Sequence, residues 1–214
     1  IYDVELTRDG GSFSTRRVVA RQKAKTIFHM ELSFHRQEQG FEHEAALDVE
    51  VKPPEELLNT TELACKYAAH LPKDVAAAQQ QSIVELKPLD PEDFFMRKAQ
   101  KARGLYWIRS SSPLPEDPLT QQAALAYLSD YFLVSTVLLQ HTGWLMSEHV
   151  MMASLDHAMW FHRPCRADAW VLVDALSPFA GGARGLTRAQ IYDRDRRLVA
   201  SVAQEGLVRP KAAD

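Results

Sequence analysis

The stretch PLTQQAALAYLSDYFLVSTVLL, residues Pro118–Leu139, decides the fold. Asp117 and Pro118 supply an N-cap and a first-turn proline, and the apolar residues that follow recur at helical spacing. Leu125, Leu128, Phe132 and Leu139 form one stripe, and Ala123, Ala126, Asp130, Val134 and Val137 form its neighbour. A helix apolar on nearly every side is expected to lie buried against a sheet. Its most apolar run, Ala123–Leu139, is shorter than the ~20 residues of a membrane span and carries Asp130 in its middle; no span is expected.

The sheet is read outward from this helix. Four long strands are expected after it, at about 150–163, 168–178, 184–193 and 197–209, and two before it, at 82–90 and 103–112 around a polar 93–102 insert. Earlier still, 1–9, 12–22 and 26–36 read as strands. An acidic, irregular connection over 38–53 ends in Pro53-Pro54, and a helix over about 55–70 stops before Pro72. One long helix against a long antiparallel sheet is an α+β layer architecture.

Sliding the chain on itself lays residues 1–34 over 172–205 without a gap. Gly10-Gly11 falls on Gly181-Gly182, and the basic turn Lys23-Ala24-Lys25 meets Arg194-Asp195-Arg196. Turn residues fix where hairpins reverse, so the match predicts a duplicated unit. The second copy is preceded by a strand pair and a helix, and the first is not. The expected organisation is therefore 1–37 as the closing strands of a first unit, 38–81 as a linker with a helix, and 82–210 as a complete second unit.

Composition narrows the function. The chain has 214 residues, 25 basic against 28 acidic, which gives no general attraction to nucleic acid. Cys65 and Cys165 are too few for a disulfide framework and point to reduced thiols inside a cell. Lys211-Ala212-Ala213-Asp214 is not a Ser-Lys-Leu type address. The expected location is the cytoplasm, with the peroxisomal matrix as the alternative.

Three polar residues sit where apolar ones belong. Asp130 is the only formal charge between Pro118 and Ser147, and an unpaired carboxylate buried there is costly. Alternation along 150–163 places Val150, Met152, Ser154, Asp156, Ala158 and Trp160 on one face. Gln204 is the single amide in the row Leu198, Ala200, Val202, Gln204, Gly206, Val208. An acid, a hydroxyl and an amide from three elements can together hold one water for attack. Each also has a structural reading as a satisfied core group. His157 and His162 lie five apart on a strand and face opposite ways, so no metal site is expected.

At these residues the chain resembles a known family. The string Ser154-Leu155-Asp156-His157-Ala158-Met159-Trp160-Phe161-His162-Arg163-Pro164 is similar to a signature of type II acyl-CoA thioesterases. So are Ala180-Gly181-Gly182-Ala183-Arg184-Gly185, Val199-Ala200-Ser201-Val202-Ala203-Gln204-Glu205-Gly206 and Leu128-Ser129-Asp130-Tyr131. In the first half, Ile1–Glu5, Asp9–Val18 and Gly40-Phe41-Glu42-His43 carry the same likeness. The resemblance implies a double hotdog fold, with the first hotdog incomplete because family members begin upstream of Ile1.

The resemblance also implies a catalytic triad of Asp130, Ser154 and Gln204 that hydrolyses medium- to long-chain acyl-CoA through a held water. No cofactor is implied, since CoA enters only as part of the substrate. Arg184 and Arg188 are candidates for CoA phosphate contacts, and His157 and Trp160 for further substrate contacts. The apolar helix and Met151, Met152, Met159 and Trp160 are candidates for the acyl path. A homo-oligomer is expected. Two other readings compete: a hotdog enoyl-CoA hydratase or dehydratase with His157 or His162 as base, and a non-catalytic interaction protein binding through the uncovered face of strands 1–36.

Overall fold

The computed structural model describes residues 1–70, 82–95, 101–141 and 150–211. Pro72 and the middle of the 93–102 insert lie outside the described residues. The chain divides into two compact units, Ile1–His43 and Glu44–Asp214.

The first unit is an antiparallel meander of β1 (Tyr2–Asp9), β2 (Phe13–Gln22) and β3 (Lys25–His35), in that spatial order. Lys23 and Ala24 take φ of 48° and 64°, the left-handed pair that a two-residue hairpin turn needs. Direct pairing puts Tyr2, Ala20 and Phe28 on one face, with Val4, Val18 and Met30 in the next row. Val18 and Ala20 are buried, whereas Tyr2, Val4, Phe28 and Met30 are exposed. The unit contains no helix, so nothing within it covers this apolar face.

The second unit holds a seven-stranded sheet in the order β4-β5-β8-β9-β10-β6, with β7 also pairing β10. The strands are β4 (Val84–Pro88), β5 (Arg103–Ser110), β6 (Val150–Ser154), β7 (Ala158–Phe161), β8 (Val171–Gly181), β9 (Arg184–Tyr192) and β10 (Leu198–Pro210). Every pairing is antiparallel. The Gly181-Gly182 turn matched by self-comparison is a hairpin with Gly182 and Ala183 both at φ 59°. At the second matched turn, Asp193 Oδ1 accepts from the backbone N–H groups of Asp195 and Arg197.

The described part of the connection ahead of this sheet carries one short helix after a 3-10 turn, with another 3-10 turn, Ala68–His70, behind it. The first turn is Pro54–Glu56, followed by α1 (Thr60–Lys66), which starts at a reciprocal cap: Asn59 accepts from the Glu62 N–H and Glu62 from the Asn59 N–H. A second short helix, α2 (Pro91–Phe95), lies between β4 and β5. Leu47, Val51 and Leu57 pack on Trp107, Trp170, Leu172 and Tyr192, covering part of the sheet's outer face.

The other face carries the central helix. The expected helix over 118–139 is α3 (Pro118–Asp130), capped by Asp117, followed by a 3-10 segment, Val134–Gln140. The break comes at Phe132, whose φ is 63°. Two things fix it there. Phe132 stacks edge-on against Phe94 and Tyr131, and Tyr106 Oη donates to the Tyr131 carbonyl at 3.0 Å.

Beyond the break, Val134 and Val137 drop into the gap left by Gly206 and Gly185, which face each other across β10 and β9. Leu125, Leu128 and Leu133 meet Tyr106, Ile108, Val173, Ala189, Ala200 and Val202 in the core. By length and composition Pro118–Gln140 is apolar enough to cross a membrane. Its burial against the sheet and its break at Phe132 make it a core helix.

Candidate active site

Asp130 is the last residue of α3, Gln204 lies in the middle of β10, and Ser154 ends β6. Ser154 pairs with Gly206, two residues from Gln204, so both side chains emerge on the helix side of the sheet. They meet at one atom. Gln204 Nε2 donates a short hydrogen bond to Asp130 Oδ1. Ser154 Oγ lies 3.5 Å from that same oxygen, at the long end for a hydrogen bond.

Burial divides the three. Gln204 is 1% exposed, but the Asp130 side chain is 58% exposed and Ser154 is also open to solvent. This corrects the expectation of a buried acid. Because α3 stops at Asp130, the carboxylate sits at a helix end rather than inside an apolar stripe; Ala123, on the same expected stripe, is exposed as well.

A fourth side chain joins them. His157 follows β6 and places Nδ1 3.9 Å from Asp130 Oδ1, while Nε2 lies 2.9 Å from the hydroxyl of buried Ser129. Burial pushes the His157 pKa down, and the charges of Asp130 and Asp156 push it partly back. Burial, then the negative Asp130, holds the Tyr106 phenol well above its ordinary range. Asp156 turns the other way and accepts from the Glu205 N–H at 2.8 Å.

The alternation expected along 150–163 does not run through. Residues 155–157 lie between β6 and β7, and the phase slips by one. Met159 pairs with Val202 and Trp160 with Ser201. Trp160 therefore lies on the sheet face opposite Ser154, and Met159 takes the position expected of it. Arg188 pairs with Ala203 and Arg184 with Leu207, which puts both arginines on that far face too. There Arg184 meets Glu205 at 3.1 Å and His162 meets Ser201 at 2.8 Å. The structure thus brings together Asp130, Ser154, Gln204 and His157, and leaves Arg184, Arg188 and Trp160 apart from them.

Two residues at this site escaped the sequence reading as individuals. Ser129 stood only as part of the Leu128–Tyr131 string. Thr187 sits directly opposite Gln204 across β9 and β10 and is fully buried. Among the described residues, neither Thr187 Oγ1 nor Gln204 Oε1 has a hydrogen-bond partner. Only strand register could have revealed that pairing.

An antiparallel sheet curled against a central helix is the hotdog α+β architecture. The acyl-CoA thioesterase family matches residues 96–207. Human acyl-coenzyme A thioesterase 8 is 37% identical over 220 residues, covering 99% of this chain and 68% of that protein. Acyl-CoA thioesterase 2 of Haemophilus influenzae is 35% identical, over 98% of this chain and 73% of its own length.

The solved structure of acyl-CoA thioesterase II TesB2 from Mycobacterium marinum is 38% identical with a TM-score of 0.77, covering 99% of this chain and 74% of its own. A hotdog-fold protein from Alicyclobacillus acidocaldarius shares the fold at 14% identity and a TM-score of 0.73, with 99% and 73% covered. The chain belongs to the acyl-CoA thioesterase family.

Proposed function

We propose that this protein hydrolyses medium- to long-chain fatty acyl-CoA to free fatty acid and CoA, using a water held by Asp130, Ser154 and Gln204. The observation that supports this reading most is the convergence of a buried amide and a hydroxyl on one oxygen of a solvent-open carboxylate. Asp130 acts as general base: the water gives it a proton as the water oxygen bonds to the thioester carbonyl carbon. Gln204 and Ser154 fix the carboxylate so that its orientation is set before the substrate arrives. The 3.5 Å Ser154 contact belongs to the free enzyme and is expected to tighten around substrate.

The step balances with water and these side chains, so no metal or redox cofactor is assigned. Half-buried Met152 and Met159 lie on the same sheet face, each two residues along its strand pairing from the site, and half-buried Phe132 lies two residues past Asp130. They supply apolar surface for an acyl chain. Arg184 and Arg188, on the far face, are given no contact with the reacting group. Self-association is part of the proposal and is read from the mass of the protein in solution.

The testing experiment is thiol release from a chain-length series of saturated acyl-CoAs, by the protein and its Asp130→Asn variant. The expected result is turnover that improves from short to longer chains and a loss of about 10²- to 10⁴-fold in the variant. Equal rates for the two proteins, or hydration of enoyl-CoA without thiol release, would overturn the reading.

A further inference from the structure

Ser129 precedes Asp130 on the last turn of α3 and is 2% exposed. Its Oγ donates to the Ala126 carbonyl at 2.7 Å and lies 2.9 Å from His157 Nε2. A serine hydroxyl has one hydrogen, and Ala126 takes it. Oγ must therefore accept from His157, which puts the imidazole proton on Nε2 and leaves a bare lone pair on Nδ1.

That lone pair faces Asp130 Oδ1 across 3.9 Å, the oxygen on which Gln204 and Ser154 converge. Two acceptors hold each other off at this separation. Once Asp130 carries a proton it becomes a donor, and the same pair attracts and closes. Asp130 from α3 faces the ring, and Asp156, turned away onto the Glu205 N–H, acts on it only through its charge; the burial of the ring outweighs both and favours the neutral imidazole.

We propose that His157, locked in this tautomer by Ser129, carries the proton from Asp130 to the departing sulfur. This rests on the hydrolytic reading above. Water gives a proton to Asp130 as its oxygen bonds to the carbonyl carbon. The proton moves from Asp130 to His157 Nδ1. The C–S bond then breaks, its electron pair goes to sulfur, and His157 returns the proton there. Acid and free thiol leave, and both side chains regain their starting states. Ser129 is a positioning residue, acting only through the imidazole.

The experiment compares two thioesters of one acyl chain, acyl-CoA and the corresponding thiophenyl ester. An aryl thiolate departs readily without a proton, whereas the alkyl thiolate of CoA gains from receiving one. His157→Gln, Ser129→Ala and Asp130→Asn are assayed on both, with thermal melts of each. His157→Gln is expected to lose about 10²-fold on acyl-CoA and to recover most of it on the aryl ester. Ser129→Ala shows the same pattern with a smaller loss, and Asp130→Asn is slow on both.

A His157→Gln loss equal on both esters, or no loss on either, would overturn the proposal. Full activity in Asp130→Asn would instead overturn the hydrolytic reading itself. A third measurement needs no variant: the wild-type rate across thiols of graded acidity is expected to change little, and a steep rise with leaving-group acidity would overturn the proposal too.

Discussion

Substituting Gly206 by Ala tests how the helix end is registered on the sheet. A Cβ built at Gly206 falls 2.5 and 2.9 Å from the two γ carbons of Val134 and 3.3 Å from the Ala153 carbonyl oxygen. Carbon atoms prefer about 3.5–4.0 Å, so the Val134 turn must retreat by roughly 1 Å. Overpacking of this kind costs about 1–3 kcal/mol.

The same retreat moves the chain that leads back to Asp130, and a misplacement of about 1 Å at a reacting group is worth on the order of 10²-fold in rate. Gly206→Ala is therefore expected to lower the melting temperature, by about 2–4 °C for each kcal/mol in a unit of this size, and to cut kcat well beyond that loss of fold. Adding Val134→Ala removes both γ carbons and should restore most of each quantity. Thermal melts and steady-state thiol release read both effects. A single variant indistinguishable from wild type, or a double variant no better than the single, would refute the close approach of the Val134 turn to β10 as the feature that sets Asp130 over Gln204.

Two other outcomes follow from the titrating groups. Burial lowers the pKa of His157 and of His162 below the ordinary 6.5, so the unfolded chain binds more protons at these positions than the folded one. Stability is expected to be full above pH 6.5 and to fall as the pH drops toward the folded values. Melts of wild type and His157→Gln/His162→Gln between pH 7.5 and 5.5, a window of about two units around that value, should show a shallower fall in the double variant. Burial also raises the Cys165 thiol to about 11, whereas Cys65 is exposed. Iodoacetamide at pH 8, a condition about three units below the Cys165 value, should label Cys65 first, read by peptide mass spectrometry, with thiol release unchanged while Cys165 stays unlabelled.

Turn chemistry and strand alternation were legible in the sequence because they are local. The Gly-Gly and basic turns marked where both sets of hairpins reverse, Asp117 and Pro118 marked the start of α3, and alternation put Gln204 on the helix side of β10. The end of α3 was not legible. No Gly or Pro stands at 131–133, and a phenylalanine at positive φ is dictated by Phe94, Tyr106 and the facing glycines, which come from distant parts of the chain. That break is what leaves Asp130 open to water.

The slip between β6 and β7 was hidden for a similar reason. The alternation pattern runs on through 155–157, and only the Leu155 and Asp156 N–H bonds to the Glu205 carbonyl show where the strand lifts off. Trp160 changed faces as a result. The pairing of Thr187 with Gln204 needed the register of two strands.

Direct attack by water is tested most directly by single turnover in H₂¹⁸O with enzyme in excess over acyl-CoA. The account requires the heavy oxygen in the released fatty acid and none in the peptide that contains Asp130. An unlabelled acid from that turnover, or label found in the Asp130 carboxyl, would mean that this carboxylate attacked the thioester itself.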